Sequence, residues 1–293
     1  MASVSDYAKL HFLVFLWGFT AILGKLVSIP AIEMVFYRTL LAALGMAIVM
    51  LFLKKPFRLA QNDLIKLLLT GLVVGLHWLT FFLSGRVANV SVSLIGFATA
   101  SLWTAFLEPW MNRQQPKVLE IILGCAVIAG LAVILSYDFQ YKLGLALGIA
   151  SGFTAALFSV INARLVKRVS AYAITFYEMT GAFIALALFL PIQKEFFAAD
   201  HALHLTPTGL DWLWIATLAW VCSVYTFTEG VNLMKRISVF LIQLTLNLEP
   251  LYGMILAVIF FQEHQQVNFS FYAGTVIILM AVLLYPVLKK RLT

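Results

Sequence analysis

The chain reads as an all-α integral membrane protein with ten transmembrane helices in two inverted five-helix repeats. Three observations predict this: composition, the spacing of apolar runs and the placement of basic residues. Of its 293 residues, 62% are hydrophobic and 11% charged, with mean hydropathy +0.97. A soluble domain built around one core carries about 25% charged residues. A helix needs about 20 apolar residues to cross the hydrocarbon of a bilayer. Runs of that kind fall at about 10–27, 31–53, 65–84, 91–110 and 118–136, and again at about 143–163, 173–191, 211–230, 239–261 and 270–287.

The basic residues set the orientation. With the N-terminus cytoplasmic, the inner segments hold fifteen of the 20 Lys and Arg, the outer segments only Arg86, Lys142 and Lys194, and the spans Lys25 and Arg38. This bias predicts that both termini are cytoplasmic. It also removes nucleic acid as a partner, because the +7 net charge is scattered over inner-face turns and is not gathered on one element.

Taken in order, the first run follows Lys9, contains Lys25 and meets a second span at once, so it is read as a retained helix and not a signal peptide. At 100° per residue its Trp17, Thr20, Ala21, Gly24 and Ser28 share one face. The second run opens on Phe36-Tyr37-Arg38, with Arg38 and Lys25 expected to snorkel outward and Glu33 able to neutralise either. The third carries the polar stripe His77, Thr80 and Ser84 beside Gly71, Gly75, Trp78 and Phe82. The fourth contributes Thr99, Ser101 and Trp103. The fifth is apolar and holds Cys125.

In the sixth run Gly144, Gly148, Gly152 and Ala156 recur every fourth residue, a seam for close helix packing. Next to it run Ser151, Ala155, Ser159 and Asn162. The seventh repeats the aromatic pair as Phe176-Tyr177-Glu178, and the eighth holds Trp220, Cys222, Tyr225, Thr226 and Glu229. Trp and Tyr midway along a span, away from the interfacial belts, suit a chamber that stacks on an aromatic or cationic solute. Glu108 and Glu229 stand near cytoplasmic ends, where surface ion pairs are the simpler account.

The ninth run, 240–261, carries the densest polar group: Gln243, Asn247, Glu249 and Pro250 near its middle. An acidic side chain at the centre of a span costs about 2.5–3.5 kcal/mol on insertion scales, so it must face protein or water. Either it glues helices together or it forms a ligand or proton site. Pro250 removes a backbone donor, which predicts a bend there.

The two halves echo one another. Phe36-Tyr37-Arg38 matches Phe176-Tyr177-Glu178, Val92-Ser93-Leu94-Ile95 matches Val239-Phe240-Leu241-Ile242, and Gly124 matches Gly274. Five spans per repeat force the second to run through the membrane upside down. This places Arg38 in the outer leaflet and Glu178 in the inner one. The modules are 1–140 and 141–293. The longest connection, about 192–210, contains Asp200, His201 and His204, a spacing read as a solvated loop and not a zinc site. Asn89 and Asn268 have the glycosylation pattern but abut spans, and Cys125 and Cys222 offer no disulfide framework or metal spacing.

Several motifs together resemble the drug/metabolite transporter superfamily in its EamA-type branch, over nearly the whole chain. They are Trp17-Gly18 followed by Gly24-Lys25, Phe36-Tyr37-Arg38, and Leu248-Glu249-Pro250 with Glu263. The first module departs from the second, with Trp103 where the second has Pro250 and Arg113 where it has Glu263. The resemblance implies secondary transport of small polar or amphiphilic metabolites such as amino acids, commonly export across a bacterial inner membrane. It also implies a central cavity lined by the first, third, fourth, sixth, eighth and ninth spans.

On this reading the candidate substrate-binding residues are Trp17, His77, Trp78, Trp103, Asn162, Tyr225, Gln243, Asn247 and Glu249. The candidates for coupling and gating are Glu249, Pro250 and Arg38, with Glu249 binding a proton in one state and releasing it in the other, and bends near Pro250 and Gly253 relieving strain as the gates exchange. Partners are a small-molecule substrate and the lipid bilayer, with monomer and homodimer both open. No cofactor, metal or catalytic residue is expected, since the chain has no HExxH, P-loop or recognisable catalytic order. An uptake carrier of the same fold, a channel, an intramembrane enzyme and a membrane-embedded scaffold or sensor are the alternatives.

Overall fold

The structure, a computed structural model, describes residues 2–135, 142–198, 200–249, 251–252 and 269–292, and contains no strand among them. Helix α1 (Val4–Leu26) opens on a reciprocal cap: Ser3 Oγ accepts from the Asp6 amide at 3.2 Å, and Asp6 Oδ2 accepts from the Ser3 amide at 2.9 Å. Helix α2 (Ala31–Phe52) follows Pro30, whose missing N–H is harmless at a helix start. Then come α3 (Gln61–Val87), α4 (Val90–Ala98), α5 (Ala100–Asn112) and α6 (Val118–Leu135). The second half brings α7 (Lys142–Leu165), α8 (Ala171–Phe196), α9 (Gly209–Ala219), a π-helical turn over Trp220–Tyr225, α10 (Thr226–Leu233), α11 (Val239–Leu246) and α12 (Phe269–Leu292).

Seven helices among the described residues are long and apolar enough to cross a membrane. Their outward faces are apolar, with Leu51, Phe52, Leu69 and Leu188 exposed, as lipid contact requires. The protein is therefore a multi-pass helical membrane protein.

Two expected spans are broken, and the breaks correspond. Thr99 separates α4 from α5, its amide reaching back only three residues to the Gly96 carbonyl at 3.2 Å while its Oγ1 donates to the same oxygen at 2.6 Å. At the end of α11 the Asn247 amide reaches the Leu244 carbonyl at 3.2 Å in the same tightened way. The expected bend at Pro250 and Gly253 lies outside the described residues. Thr99 breaks its helix without a proline, whereas Asn247 lies in the turn before Pro250, where a proline frees a carbonyl and disrupts the helix.

Packing is closest where glycines remove side chains. A β-carbon on Gly71 of α3 would lie 2.4 Å from the Glu178 carbonyl oxygen and 2.9 Å from Gly181 Cα, so α3 and α8 meet backbone to backbone. The predicted glycine seam of α7 does the same work: β-carbons on Gly144, Gly148 and Gly152 would meet Ala88, Gly96 and Thr99 at 2.4, 3.0 and 2.5 Å. Helix α12 packs on α6, where the buried Tyr285 hydroxyl donates to Glu120 at 2.8 Å.

The repeated aromatic pair has one structural use in both halves. Tyr37 on α2 donates to the Leu205 carbonyl at 2.8 Å, in the connection leading into α9; Tyr177 on α8 donates to the Phe57 carbonyl at 2.6 Å, in the connection leading into α3. In each pair the preceding Phe stacks edge-on against the Tyr, at 5.2 and 4.9 Å between centroids.

Candidate solute site

A chamber of about 80 Å³ lies between α1, α2, α3, α4, α7, α10 and α11. It brings together six of the residues singled out from sequence: Trp17, Arg38, His77, Trp78, Gln243 and Glu249. Phe81, Phe82, Phe97, Phe158 and Phe227 close its walls.

Arg38 does not snorkel outward. It is 2% exposed, and its guanidinium carbon sits 3.9 Å from the centroid of the Trp78 ring. Its Nε donates to Ser223 Oγ at 2.9 Å and its Nη2 to the Cys222 carbonyl at 3.4 Å. The correction has a physical cause. Ser223 and Cys222 belong to the π-helical turn, where widened backbone spacing frees a carbonyl, and Ser223 Oγ passes its own hydrogen to the Leu218 carbonyl at 2.8 Å. An interior partner set thus competes with the interface, and no carboxylate forms an ion pair with Arg38 among the described residues. Glu33, expected as a neutralising partner, instead accepts from the His204 amide at 3.3 Å.

Glu249 is buried and accepts from Thr20 Oγ1 at 3.3 Å, on the facing helix α1. It too lacks an ion-pair partner among the described residues. The chamber is therefore lined by one guanidinium and one carboxylate, each held by neutral groups of the protein. His77 Nδ1 lies 3.0 Å from the Ser151 carbonyl oxygen and 2.9 Å from Ser151 Oγ; the tautomer with its hydrogen on Nδ1 answers the carbonyl and leaves Nε2 as an acceptor. Gln243 Nε2 donates to Ser159 Oγ at 2.7 Å, and its Oε1 has no partner among the described residues.

Four other candidates stand elsewhere. Asn162 is turned away from the chamber, with Nδ2 donating to Glu178 Oε2 at 3.0 Å. Trp103 packs edge-on against Phe153 with centroids 5.4 Å apart, and does not line the chamber. Asn247 is buried at the break after α11, outside the lining. Tyr225 is 43% exposed and faces outward at the end of the π turn. For Tyr225 the reason is geometric: helix phase counted at 100° per residue fails once a π turn inserts extra backbone. Pro250 lies outside the described residues. Sequence reasoning missed Ser223 as the partner of Arg38, because no residue pattern announced the π turn. It also missed the phenylalanine walls, which are indistinguishable from core in a chain with 24 Phe.

A second, wider cavity of about 500 Å³ adjoins the ends of α1 and α3, lined by Gly24, Lys25, Arg86, Asn89 and Ser93. Phe81 and Phe82 line both spaces and form the partition between them. Phe82 lies so close to Gly24 that a β-carbon there would meet its ring at 2.3 Å. Arg86 caps the end of α1 by donating to the Gly24 and Val27 carbonyls at 3.3 and 3.1 Å. Near the opposite helix ends, Lys9 pairs with Glu229 at 2.5 Å and Asp6 with Arg236 at 2.7 Å, the surface ion pair foreseen for Glu229.

A bundle of apolar helices around a small chamber, with a buried guanidinium and a buried carboxyl group that form no ion pair among the described residues, is the architecture of a polytopic membrane protein with a solute-sized site. The pattern of the EamA-like transporter family matches residues 10–136 and again residues 142–285. The chain belongs to the EamA-like transporter family, and is accordingly a membrane transporter of the drug/metabolite type. None of the curated proteins matches its sequence. A solved crystal structure, described only as that of a protein, is 15% identical, covers 99% of each chain and superposes with a TM-score of 0.76, which shows a shared fold.

Proposed function

We propose that this protein exports small amphiphilic metabolites, such as amino acids and related aromatic solutes, across a bacterial inner membrane by alternating access. The observation that carries this reading is the pairing of Arg38 and Glu249 on the wall of one aromatic chamber, neither neutralised by an ion pair among the described residues. Isolated buried charges are unfavourable unless something answers them. A zwitterion with a flat apolar body answers both: its carboxylate on Arg38, its ammonium on Glu249, its body between Trp17, Trp78 and Phe158. His77 Nε2 and Gln243 Oε1 then supply acceptors for further donors of the solute.

Ten spans in two inverted modules, 1–140 and 141–293, with both termini cytoplasmic, form the framework. Supporting it are the twofold family match, the equivalent breaks at Thr99 and Asn247 and the reciprocal tyrosine contacts. The modules rock around the chamber, and Phe81 with Phe82 gates the passage to the Lys25 and Arg86 vestibule. Export is the direction implied by the family resemblance. Glu249 exchanges a proton for the solute's cationic end, and Arg38 with the helix break after α11 follows the occupant.

The test is counterflow in proteoliposomes loaded with candidate amino acids, chosen by thermal-shift screening of the purified protein. Saturable exchange lost in both Arg38→Gln and Glu249→Gln is expected. Ion conductance without counterflow, or flux indifferent to both substitutions, would sink the proposal.

A further inference from the structure

We infer that Glu178 and Asn162 form a proton-binding site separate from the solute chamber, in which one proton is shared between a carboxyl and an amide group. Glu178 is completely buried on α8, and Asn162 is completely buried on α7. Asn162 Nδ2 donates to Glu178 Oε2 at 3.0 Å. That leaves one oxygen on each side chain, Glu178 Oε1 and Asn162 Oδ1, buried and without a hydrogen-bond partner among the described residues. Both orphans are acceptors. No rearrangement of protein donors is needed to satisfy them, because a single proton does it.

A proton taken from water onto Oε1 turns the carboxylate into an acid whose O–H donates to Asn162 Oδ1. The existing Nδ2 contact is retained, closing the two-bond ring that carboxylic acids form with amides. The charge of the site goes from −1 to 0, and both orphaned oxygens become satisfied in one step. Without that proton the carboxylate would be a buried anion with no counter-ion and one unpaired oxygen, the costliest arrangement for such a group.

Among the described residues no cation competes for this role, and α4, α5 and α11, which pack on α7, contain no Lys, Arg or His. On α7 the nearest charged residue, Arg164, is exposed. On α3, which presses Gly71 against the Glu178 carbonyl, Asp63 is paired with Arg168, Lys66 is exposed, His77 is engaged with Ser151 and Arg86 caps α1. On α2, Arg38 is held by Ser223 and Trp78, and Glu33 binds the His204 amide. On α10, Thr228 bonds Thr175, and Glu229 pairs with Lys9. On α8 itself the other charged residues, Lys194 and Glu195, lie four turns away at its far end. The site thus binds a proton and not a salt-bridge partner. Because α7 and α8 each carry one half of it, proton release leaves two bare oxygens between the helices and favours their separation.

The site is independent of the chamber's occupant, so it stands or falls apart from the transport reading. The test is infrared difference spectroscopy of the reconstituted protein across a pH titration, following the carbonyl stretch of a protonated, hydrogen-bonded carboxylic acid. The band is expected at neutral pH and lost in Glu178→Gln, both measured in a Glu249→Gln background, since Glu249 is itself proposed to bind a proton. The first substitution places an amide donor where the proton stood, which preserves the ring and the fold. Should that variant not fold, Asn162→Ala serves, and is expected to shift the band to the position of an acid lacking its amide partner. Absence of the band in the Glu249→Gln background, its survival when Glu178→Gln is added, or a band unmoved by Asn162→Ala overturns the inference.

Discussion

Asp63 and Asp211 each occupy the third position of their helix, and each grips the turn between the first two helices of the opposite half of the chain. Asp211 accepts from the Ser28 amide at 2.7 Å and the Ser28 hydroxyl at 2.6 Å, in the turn joining α1 to α2. Asp63 accepts from Arg168 Nη2 at 2.6 Å and Nε at 3.2 Å, in the turn joining α7 to α8. The second contact holds Arg168 charged even more firmly than usual, its hydrogen bond to Asp63 raising its pKa above the ordinary arginine value. With the tyrosine contacts, each half of the chain clasps the other at two points.

If these clasps lie on opposite membrane faces, releasing them has opposite effects. In a Cys125→Ser, Cys222→Ser background carrying Ser159→Cys as a chamber reporter, Arg168→Ala is expected to raise labelling from one side and Asp211→Ala from the other. The thermodynamic effect of Arg168→Ala is small, about 0.2–1 kcal/mol for an exposed pair. Equal labelling changes from the same side would contradict the assignment.

Replacement of Arg38 separates charge from geometry. A charged hydrogen bond is worth about 1.5–3 kcal/mol, so Arg38→Gln should weaken binding of a carboxylate-bearing solute roughly 10- to 150-fold. Arg38→Lys is expected to recover only part of this, because an ammonium neither stacks flat on Trp78 nor reaches Ser223 and the ligand at once. Isothermal titration with the best ligand from the thermal-shift screen measures both; full recovery by Lys would mean that charge alone matters.

Gly71 and Gly209 make a controlled pair. Gly71→Ala drives a methyl against the backbone of Glu178 and Gly181 and should cost about 1–3 kcal/mol or more by overpacking. Gly209→Ala meets nothing within 4 Å and should leave stability unchanged or slightly raised. Thermal unfolding in detergent, read by intrinsic fluorescence, compares them directly.

The tyrosine contacts predict equivalence. Tyr37→Phe and Tyr177→Phe each delete one hydroxyl donated to a loop carbonyl, with an expected loss near 1 kcal/mol apiece. The losses should add, since the sites share no partner. A strongly non-additive double variant in the same unfolding assay would show that the two contacts act as a unit.

Much of this architecture was legible before any coordinates. The glycine ladder of α7 is a statement about backbone approach, and Gly148 does lie against Gly96. Side chains on regular helix, such as His77, Trp78 and Trp17, could be placed on a face by counting. Counting failed where the backbone departs from 3.6 residues per turn. The π turn at Trp220–Tyr225 swung Tyr225 outward and brought Ser223 to Arg38, and the break at Asn247 left its side chain outside the chamber lining. Asn162 illustrates a different limit. Its stripe was read correctly as polar, but a stripe does not say which neighbouring helix supplies the partner, and here that partner is Glu178.

The glycine contacts differ in what they press against. Gly148 and Gly152 of α7 meet backbone on α4, whereas Gly24 and Gly230 meet only the rings of Phe82 and Trp17. A ring can swivel about its χ angles; a backbone cannot step aside without unwinding. One edge of the bundle, at α4 and α7, is therefore riveted, and the other merely leaned upon.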